Sequence, residues 1–159
     1  MIGWIRDRLN REDEGFTLVE LMVVVLVIAI LIAIAIPTFL GARQRAQDRA
    51  AQSDLRNALT AAKVFYVDNE DYDAVDDGVT DDLETIEPSL SLDSTIGNAD
   101  AVVVGYTGAG QTIVLAKQSA SQTWFCISDD SSAGGGTTYG SGAAATDVDT
   151  VAECAAASW

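Results

Sequence analysis

The chain has 159 residues, room for one domain with a modest core, and hydrophobic residues make up 48% of it. Its 24 Asp and Glu residues against 9 Lys and Arg residues argue against a nucleic-acid groove built on phosphate contacts. The absence of histidine excludes imidazole acid–base chemistry, Ser-His-Asp and Cys-His catalytic groups, and histidine metal ligands. The composition therefore removes the most common catalytic arrangements, and we expect a protein that is not an enzyme and has no cofactor, with a membrane-tethered enzymatic head as a weak alternative.

The first element in chain order is a short charged leader, residues 1–15, followed by an apolar run over residues 16–36. From residue 21 to residue 36 the run contains no polar or charged side chain. As an α-helix, residues 16–36 would span about 31 Å, close to the roughly 30 Å of bilayer hydrocarbon. We expect a transmembrane helix rather than a strand, because an isolated strand cannot satisfy its backbone in lipid.

Three other interpretations of this run remain open: an uncleaved anchor, a secretory signal peptide and a buried core helix. Residues 33–35, Ala-Ile-Ala, have the small-residue pattern of a signal-peptide cleavage site. A plain anchor does not explain Glu20, since a carboxylate within a bilayer costs about 3 kcal/mol on insertion scales. Arginines flank the run on both sides, so charge bias does not set its orientation.

The junction between the leader and the run carries the most specific motif. Gly15 is followed by the aromatic Phe16 and, four residues later, by the isolated acid Glu20. Together with Pro37, this pattern resembles type IV prepilins and the related pseudopilins over residues 11–68. The resemblance implies that a prepilin peptidase cuts between Gly15 and Phe16, and that Phe16 becomes the N-methylated first residue of the mature chain.

Cleavage before Phe16 creates an ammonium group, which in lipid is as unfavourable as the Glu20 carboxylate. A neighbouring copy shifted along a filament axis can bring its Glu20 to this ammonium, and such a pair would fix the register of subunit assembly. Pairing within one helix and a glutamate without a partner are the alternatives. Further along, Pro37 lacks an N–H group and predicts a kink or local opening of the helix.

Residues 37–67 keep the helical period but become amphipathic. Apolar residues recur at intervals of three and four and form one face that needs a sheet to cover it. We interpret the charged residues of this half as a solvated face, with pairing between subunits as the alternative. The apolar face consists of Ala51, Leu55, Ala58, Leu59, Ala62, Phe65 and Tyr66.

The segment from residue 68 to residue 87 holds ten acidic residues and no basic one. We interpret it as a solvated loop that its like charges keep extended. Calcium binding is the weaker alternative, because the EF-hand spacing fails where an aspartate replaces the glycine of the sixth loop position. The weak candidates for metal ligands are Asp68, Glu70, Asp71 and Asp73.

The remaining chain predicts three short antiparallel strands, at residues 102–106, 113–116 and 124–127. The fold class is therefore α+β: a long N-terminal helix, half transmembrane and half amphipathic, packed on a small antiparallel sheet in a head of residues 68–159. Residues 128–150 are rich in Gly, Ser, Ala and Thr, and we expect them to bury little on their own.

The two cysteines, Cys126 and Cys154, predict one disulfide if the head lies on the exported side of a membrane. A disulfide-closed C-terminal loop is also a familiar feature of pilins. Two free thiols are the alternative.

The resemblance implies a structural subunit of a type IV pilus that polymerises through its N-terminal helix and serves adhesion, motility or DNA uptake. Its implied partners are further copies in a helical homopolymer, prepilin peptidase, the assembly platform, minor pilins and, before assembly, the membrane. We expect the precursor in the cytoplasmic membrane with its N-terminus inside, and the mature chain in an extracellular filament. The alternatives are a major pseudopilin of a type II secretion system and a signal-anchored exported binding protein.

Overall fold

A computed structural model of the chain describes residues 15–72, 79–93, 101–107, 110–148, 150–156 and 159. The chain divides into two compact units, Met1–Gly41 and Ala42–Trp159. In chain order the elements are α1 (Leu18–Asn69), α2 (Val79–Ile86), β1 (Leu92–Asp93), β2 (Val102–Thr107), β3 (Thr112–Gln118), β4 (Trp124–Asp130), β5 (Thr137–Gly142), a 3₁₀ turn (Ala145–Asp147) and α3 (Val151–Ala156).

Within the described residues of the first unit, helix α1 forms a bare apolar rod. It is the one described helix that is long and apolar enough to cross a membrane, and every side chain from residue 15 to residue 40 is exposed. Pro37 lies inside α1, and the helix continues on both sides of it. The Thr38 hydroxyl donates to the carbonyls of Ile34 (3.2 Å) and Ala35 (2.9 Å), which helps satisfy the backbone beside the proline. The kink expected at Pro37 stays a prediction.

In the second unit, the C-terminal half of α1 packs on a five-stranded sheet, as the periodicity predicted. Six side chains of α1 are buried, and four of these are alanines, which allow the strands to approach the helix closely. Leu59 and Tyr66 are partly buried at the edge of the same core. The buried helix residues are Ala51, Leu55, Ala58, Ala61, Ala62 and Phe65.

The sheet has the strand order β1-β2-β3-β4-β5. Strands β2 to β5 form an antiparallel meander, in which Val104 pairs with Leu115 and Leu115 with Ile127. These three side chains belong to the core that α1 covers. The sheet is nevertheless mixed rather than purely antiparallel, because the two-residue strand β1 runs parallel to β2, with Leu92 opposite Val102.

The expectation of an extended loop over residues 68–87 is wrong in part, since α2 occupies residues 79–86. Leu83 on α2 is fully buried, and the Leu92 N–H donates to the Glu84 carboxylate at 2.9 Å. One apolar anchor and one backbone hydrogen bond therefore fasten this helix to the sheet despite the like charges around it.

The sequence did not predict a strand within residues 128–150, although few of the described side chains in this segment are buried. Strand β5 pairs with β4 from Asp129 to Trp124, and Val148 is fully buried. A Cβ on Gly140 would clash with the Cys154 carbonyl oxygen and lie 2.9 Å from the Cys126 sulfur. Glycine therefore lets α3 lie directly against β5, so the low apolar content of this segment serves close packing.

Candidate functional site

The peptide bond between Gly15 and Phe16 lies in non-helical backbone, just before α1 begins at Leu18. The Phe16 side chain is 85% exposed. Exposed, irregular backbone is the form in which proteases reach a chain, because the bond need not first be freed from a helix. The local structure at the junction therefore suits the cleavage predicted there.

Helix α1 begins with a capping box formed by Thr17 and Glu20. The Thr17 N–H (2.9 Å) and the Thr17 hydroxyl (2.7 Å) both donate to Glu20 Oε2, and the Glu20 N–H donates back to Thr17 Oγ1 at 3.2 Å. This reciprocal arrangement satisfies backbone donors that have no partner within the helix. Thr17 was not among the residues predicted from the sequence, although the Thr-x-x-Glu spacing is a local signal for a capping box.

The capping box positions the Glu20 carboxylate at the end of α1 where a cleaved chain would carry its ammonium. The oxygen Oε2 lies 2.9 Å from the nitrogen of Thr17, the residue that follows Phe16. Within the described residues, the second oxygen Oε1 receives no hydrogen bond, so the carboxylate keeps an open acceptor. The geometry accommodates an ammonium from the same chain or from a neighbouring copy.

Beyond Glu20, residues 21–36 of α1 present aliphatic side chains around the whole circumference of the helix. All of them are exposed, and the large ones, such as Leu21 and Ile36, are each about half exposed or more. Monomeric soluble proteins rarely expose an apolar surface of this extent, and its usual cover is lipid or other protein. The exposed apolar surface of this segment therefore fits the transmembrane helix that the sequence predicts.

The head is closed by a disulfide between Cys126 on β4 and Cys154 on α3. The two Cα atoms are 5.8 Å apart, within the range that disulfides need, and both cysteines are fully buried. The bond ties the C-terminal segment to the face of the sheet that α1 does not cover, where Val103, Trp124 and Val148 form a second small core.

A buried carboxylate, Asp129 on β4, joins several parts of the head. It accepts hydrogen bonds from Tyr72 (3.0 Å) and Thr137 (2.6 Å), and Lys63 on α1 forms an ion pair with it at 3.0 Å. Burial opposes ionisation of Asp129, but the hydrogen bonds from Thr137, Lys63 and Tyr72 outweigh it and lower the pKa of this carboxyl. The sequence offered no local signal for this network.

The calcium candidates are not brought together in the described part of the chain. No group of three or more Asp, Glu or Cys side chains there could hold a metal ion. The Asp71 carboxylate lies against Gly110, occupying the place where a Cβ on that glycine would be, while Asp68 and Glu70 are exposed at the end of α1. Asp73 lies outside the described residues, so calcium binding stays a weak prediction.

Comparison with known proteins adds three relatives. Residues 10–36 match the family described as the prokaryotic N-terminal methylation motif. The chain is similar to the Type IV wide pilus major component PilA4 of Thermus thermophilus, with 32% identity over 120 residues that cover 76% of this chain and 85% of the relative.

Two further similarities cover less of each chain. The Type IV major pilin protein PilA of Myxococcus xanthus is 43% identical over 65 residues, 41% of this chain and 30% of that protein. The Type II secretion system core protein G of Vibrio cholerae is 35% identical over 69 residues, 43% of this chain and 47% of that protein. No solved structure matches the chain.

Proposed function

Because this chain belongs to the type IV pilin family, we propose that it is a pilus subunit that is cut after Gly15 and polymerises through α1 into a surface filament. The observation that carries the proposal is the exposed apolar surface of α1 over residues 18–40, joined in one chain to a folded head with its own core. Such a helix needs lipid before assembly and other copies afterwards. The homologues are structural subunits, which supports a structural rather than an enzymatic role.

Each step of the proposed cycle uses a feature of this chain. The apolar half of α1 holds the precursor in the cytoplasmic membrane, with residues 1–15 inside the cell and the head outside. Prepilin peptidase then cuts the exposed bond before Phe16, which is N-methylated. With the help of the assembly platform and minor pilins, the subunit leaves the membrane and packs its α1 against those of earlier subunits.

A pilus is preferred to a secretion pseudopilus for two reasons. The similarity to the pilus component PilA4 extends over 76% of this chain, whereas the similarity to the secretion protein of Vibrio cholerae covers 43%. The head also carries a buried disulfide, which suits a filament exposed outside the cell. A pseudopilin of a type II secretion system remains the second candidate, favoured by the five core protein G relatives.

Mass spectrometry of surface filaments sheared from the native cells tests this proposal. We expect filaments that contain this chain and a mature N-terminus at methylated Phe16. A first residue at Met1 would instead support a plain anchor, and one at Ile36 a signal peptide. If no surface filament contains the chain, and its deletion blocks secretion of exported enzymes, the chain is a pseudopilin.

Two substitutions separate an assembly role of Glu20 from a role in capping alone. Glu20→Gln removes the charge but keeps an acceptor for the capping box, whereas Thr17→Val keeps the charge and removes the hydroxyl. If the charge sets subunit register, Glu20→Gln lowers filament yield by about tenfold or more at unchanged membrane content, while Thr17→Val retains most of it. The reverse ranking would show that Glu20 acts as a helix cap.

A further inference from the structure

The charges of the mature chain are strongly segregated along its sequence. After the leader, six basic residues remain, and Arg43, Arg45, Arg49, Arg56 and Lys63 all lie on α1. From residue 64 to residue 159, the sole basic residue, Lys117, stands against seventeen of the 24 acids. A mature subunit with 6 basic and 20 acidic residues repels its own copies unless oppositely charged regions face each other.

Three of these six cations are already used within the head. Lys63 pairs with Asp129 at 3.0 Å, and Lys117 pairs with Asp54 at 3.2 Å. The Arg56 guanidinium lies over the ring of Trp159, 4.9 Å from its centroid. These contacts stabilise the fold, so the three side chains already have partners within their own chain.

The other three cations, Arg43, Arg45 and Arg49, form what we call the basic collar. All three are exposed on α1, and no ion-pair partner for them lies in the described part of the chain. Asp48, the acid nearest in sequence, accepts hydrogen bonds from the hydroxyls of Ser119 and Ser121 in the β3–β4 loop. The three guanidinium groups of the collar are therefore available to pair with acidic groups of a neighbouring molecule.

The C-terminal end of α1 presents the complementary charge. Asp68 and Glu70 are both exposed at its C-terminal end, and the last turn contains no basic residue. The helix macrodipole places partial negative charge at this end, so carboxylates here are destabilised unless a cation approaches. Within the described residues, neither carboxylate has an ion-pair partner, so this acidic end lacks the cation that its position favours.

We propose that the basic collar of one copy pairs with Asp68 and Glu70 of a neighbouring copy in the filament. The partner is a second copy because one chain carries both halves of the contact on one helix. The two halves are 19 to 27 residues apart in sequence, about 30 to 40 Å along an α-helix, so a parallel neighbour displaced by that distance aligns them. A contact between different patches of identical chains is heterologous, and it propagates as a helical filament when the rotation between copies does not close into a ring.

This contact rests on the proposed filament function and adds a second determinant of register. The Glu20 pairing needs a neighbour displaced by about 6 Å, four residues of helix rise, so the collar engages a more distant copy. Each exposed ion pair contributes little free energy alone. Because the five charges repeat at every subunit, their contributions to the stability of the filament add up along its length. Because these groups are exposed, salt screens the contact.

Reciprocal charge reversal tests the contact in the full-length chain expressed in the native cells. Arg45→Glu with Arg49→Glu is expected to lower the yield of sheared filaments by about tenfold, and Asp68→Arg with Glu70→Arg by a similar factor. Combining the four substitutions restores opposite charges and should return the yield to within about threefold of the unsubstituted chain. Membrane content of the subunit is measured in parallel, to show that each variant is made and inserted.

A control separates local pairing from net charge. Ala152→Glu with Ala155→Glu adds two negative charges at exposed positions of α3, on the face of the sheet that α1 does not cover, as many as Arg45→Ala with Arg49→Ala removes from the positive side. We expect the control to retain its filaments, whereas Arg45→Ala with Arg49→Ala should lose most of them. Equal losses, or a reciprocal combination that fails to restore the yield, would overturn the collar contact and leave the filament function standing. Absence of filaments from the unsubstituted chain would overturn both.

Discussion

Replacement of Asp129 by asparagine is expected to lower the free energy of unfolding of the head by about 2 to 3 kcal/mol. A hydrogen bond to a charged group contributes about 1.5 to 3 kcal/mol, and asparagine retains one acceptor oxygen where Asp129 uses both, for Tyr72 and Thr137. The Lys63 ion pair adds less than about 1 kcal/mol, because the lysine side chain is 50% exposed.

The expected shift of the thermal midpoint follows from the size of the second unit, which holds the head and the C-terminal half of α1. Residues 42–159 correspond to an unfolding entropy of about 250 cal/mol/K, at roughly 2.1 cal/mol/K per residue. One kcal/mol then shifts the midpoint by about 4 °C, so Asp129→Asn should lower it by roughly 8 to 12 °C. Tryptophan fluorescence of the full-length chain in detergent measures this, since Trp124 is buried in the head.

The destabilisation caused by Asp129→Asn should decrease as the pH falls. The folded head lowers the pKa of Asp129, so its ionisation stabilises the fold above the unfolded value near 3.9, and this stabilisation is lost as pH falls through the lower folded value. The difference between the two chains should therefore be full at pH 7 and shrink toward pH 2. Asp130→Asn is the control, because its carboxylate accepts from the Ser132 N–H and takes no part in the Lys63 network. A difference that is the same at pH 7 and pH 2, or as large for Asp130→Asn, would refute this account.

Two further predictions concern the same head. Replacing Cys126 and Cys154 with alanine should cost about 3.5 kcal/mol from chain entropy over a separation of 28 residues, and a loss below about 1 kcal/mol by thermal unfolding would contradict this. Burial raises the pKa of Tyr72 to about 12. As the pH rises, Tyr72 therefore loses its phenolic proton in the unfolded chain before it does so in the folded chain. The free energy of unfolding should fall by up to about 3 kcal/mol between pH 10 and pH 12. Tyr72→Phe should flatten that slope while Tyr139→Phe, at an exposed position, should not; equal slopes would count against it.

The parts of the fold that the sequence predicted are those with a strong local period. Between residues 51 and 65, apolar residues recur every three or four positions, and the buried face of α1 follows that spacing. The apolar runs predicted at residues 102–106, 113–116 and 124–127 are strands, each extended in the structure by one to three residues. In these segments the hydrophobic pattern alone selects the secondary structure and the face that is buried.

The parts that the sequence did not predict are stabilised by distant contacts. Strand β5 has Tyr139 as its sole large side chain, and its pairing with β4 makes it a strand. The Lys63–Asp129 and Tyr72–Asp129 contacts each join positions more than fifty residues apart. The Thr17–Glu20 capping box is the exception, because its signal was local and a search for Thr-x-x-Glu spacing would have found it.

Gly140 lies against both cysteines of the disulfide, so the residues allowed at positions 126, 140 and 154 depend on one another. Its missing side chain leaves the space that the Cys154 backbone and the Cys126 sulfur now fill. A lineage that lost the cysteines would be free to move α3 away from β5 and to accept a larger residue at position 140. One that kept them would tolerate only glycine there. Among relatives of this chain, positions 126, 140 and 154 should therefore change together, and a substitution at 140 alone should be rare.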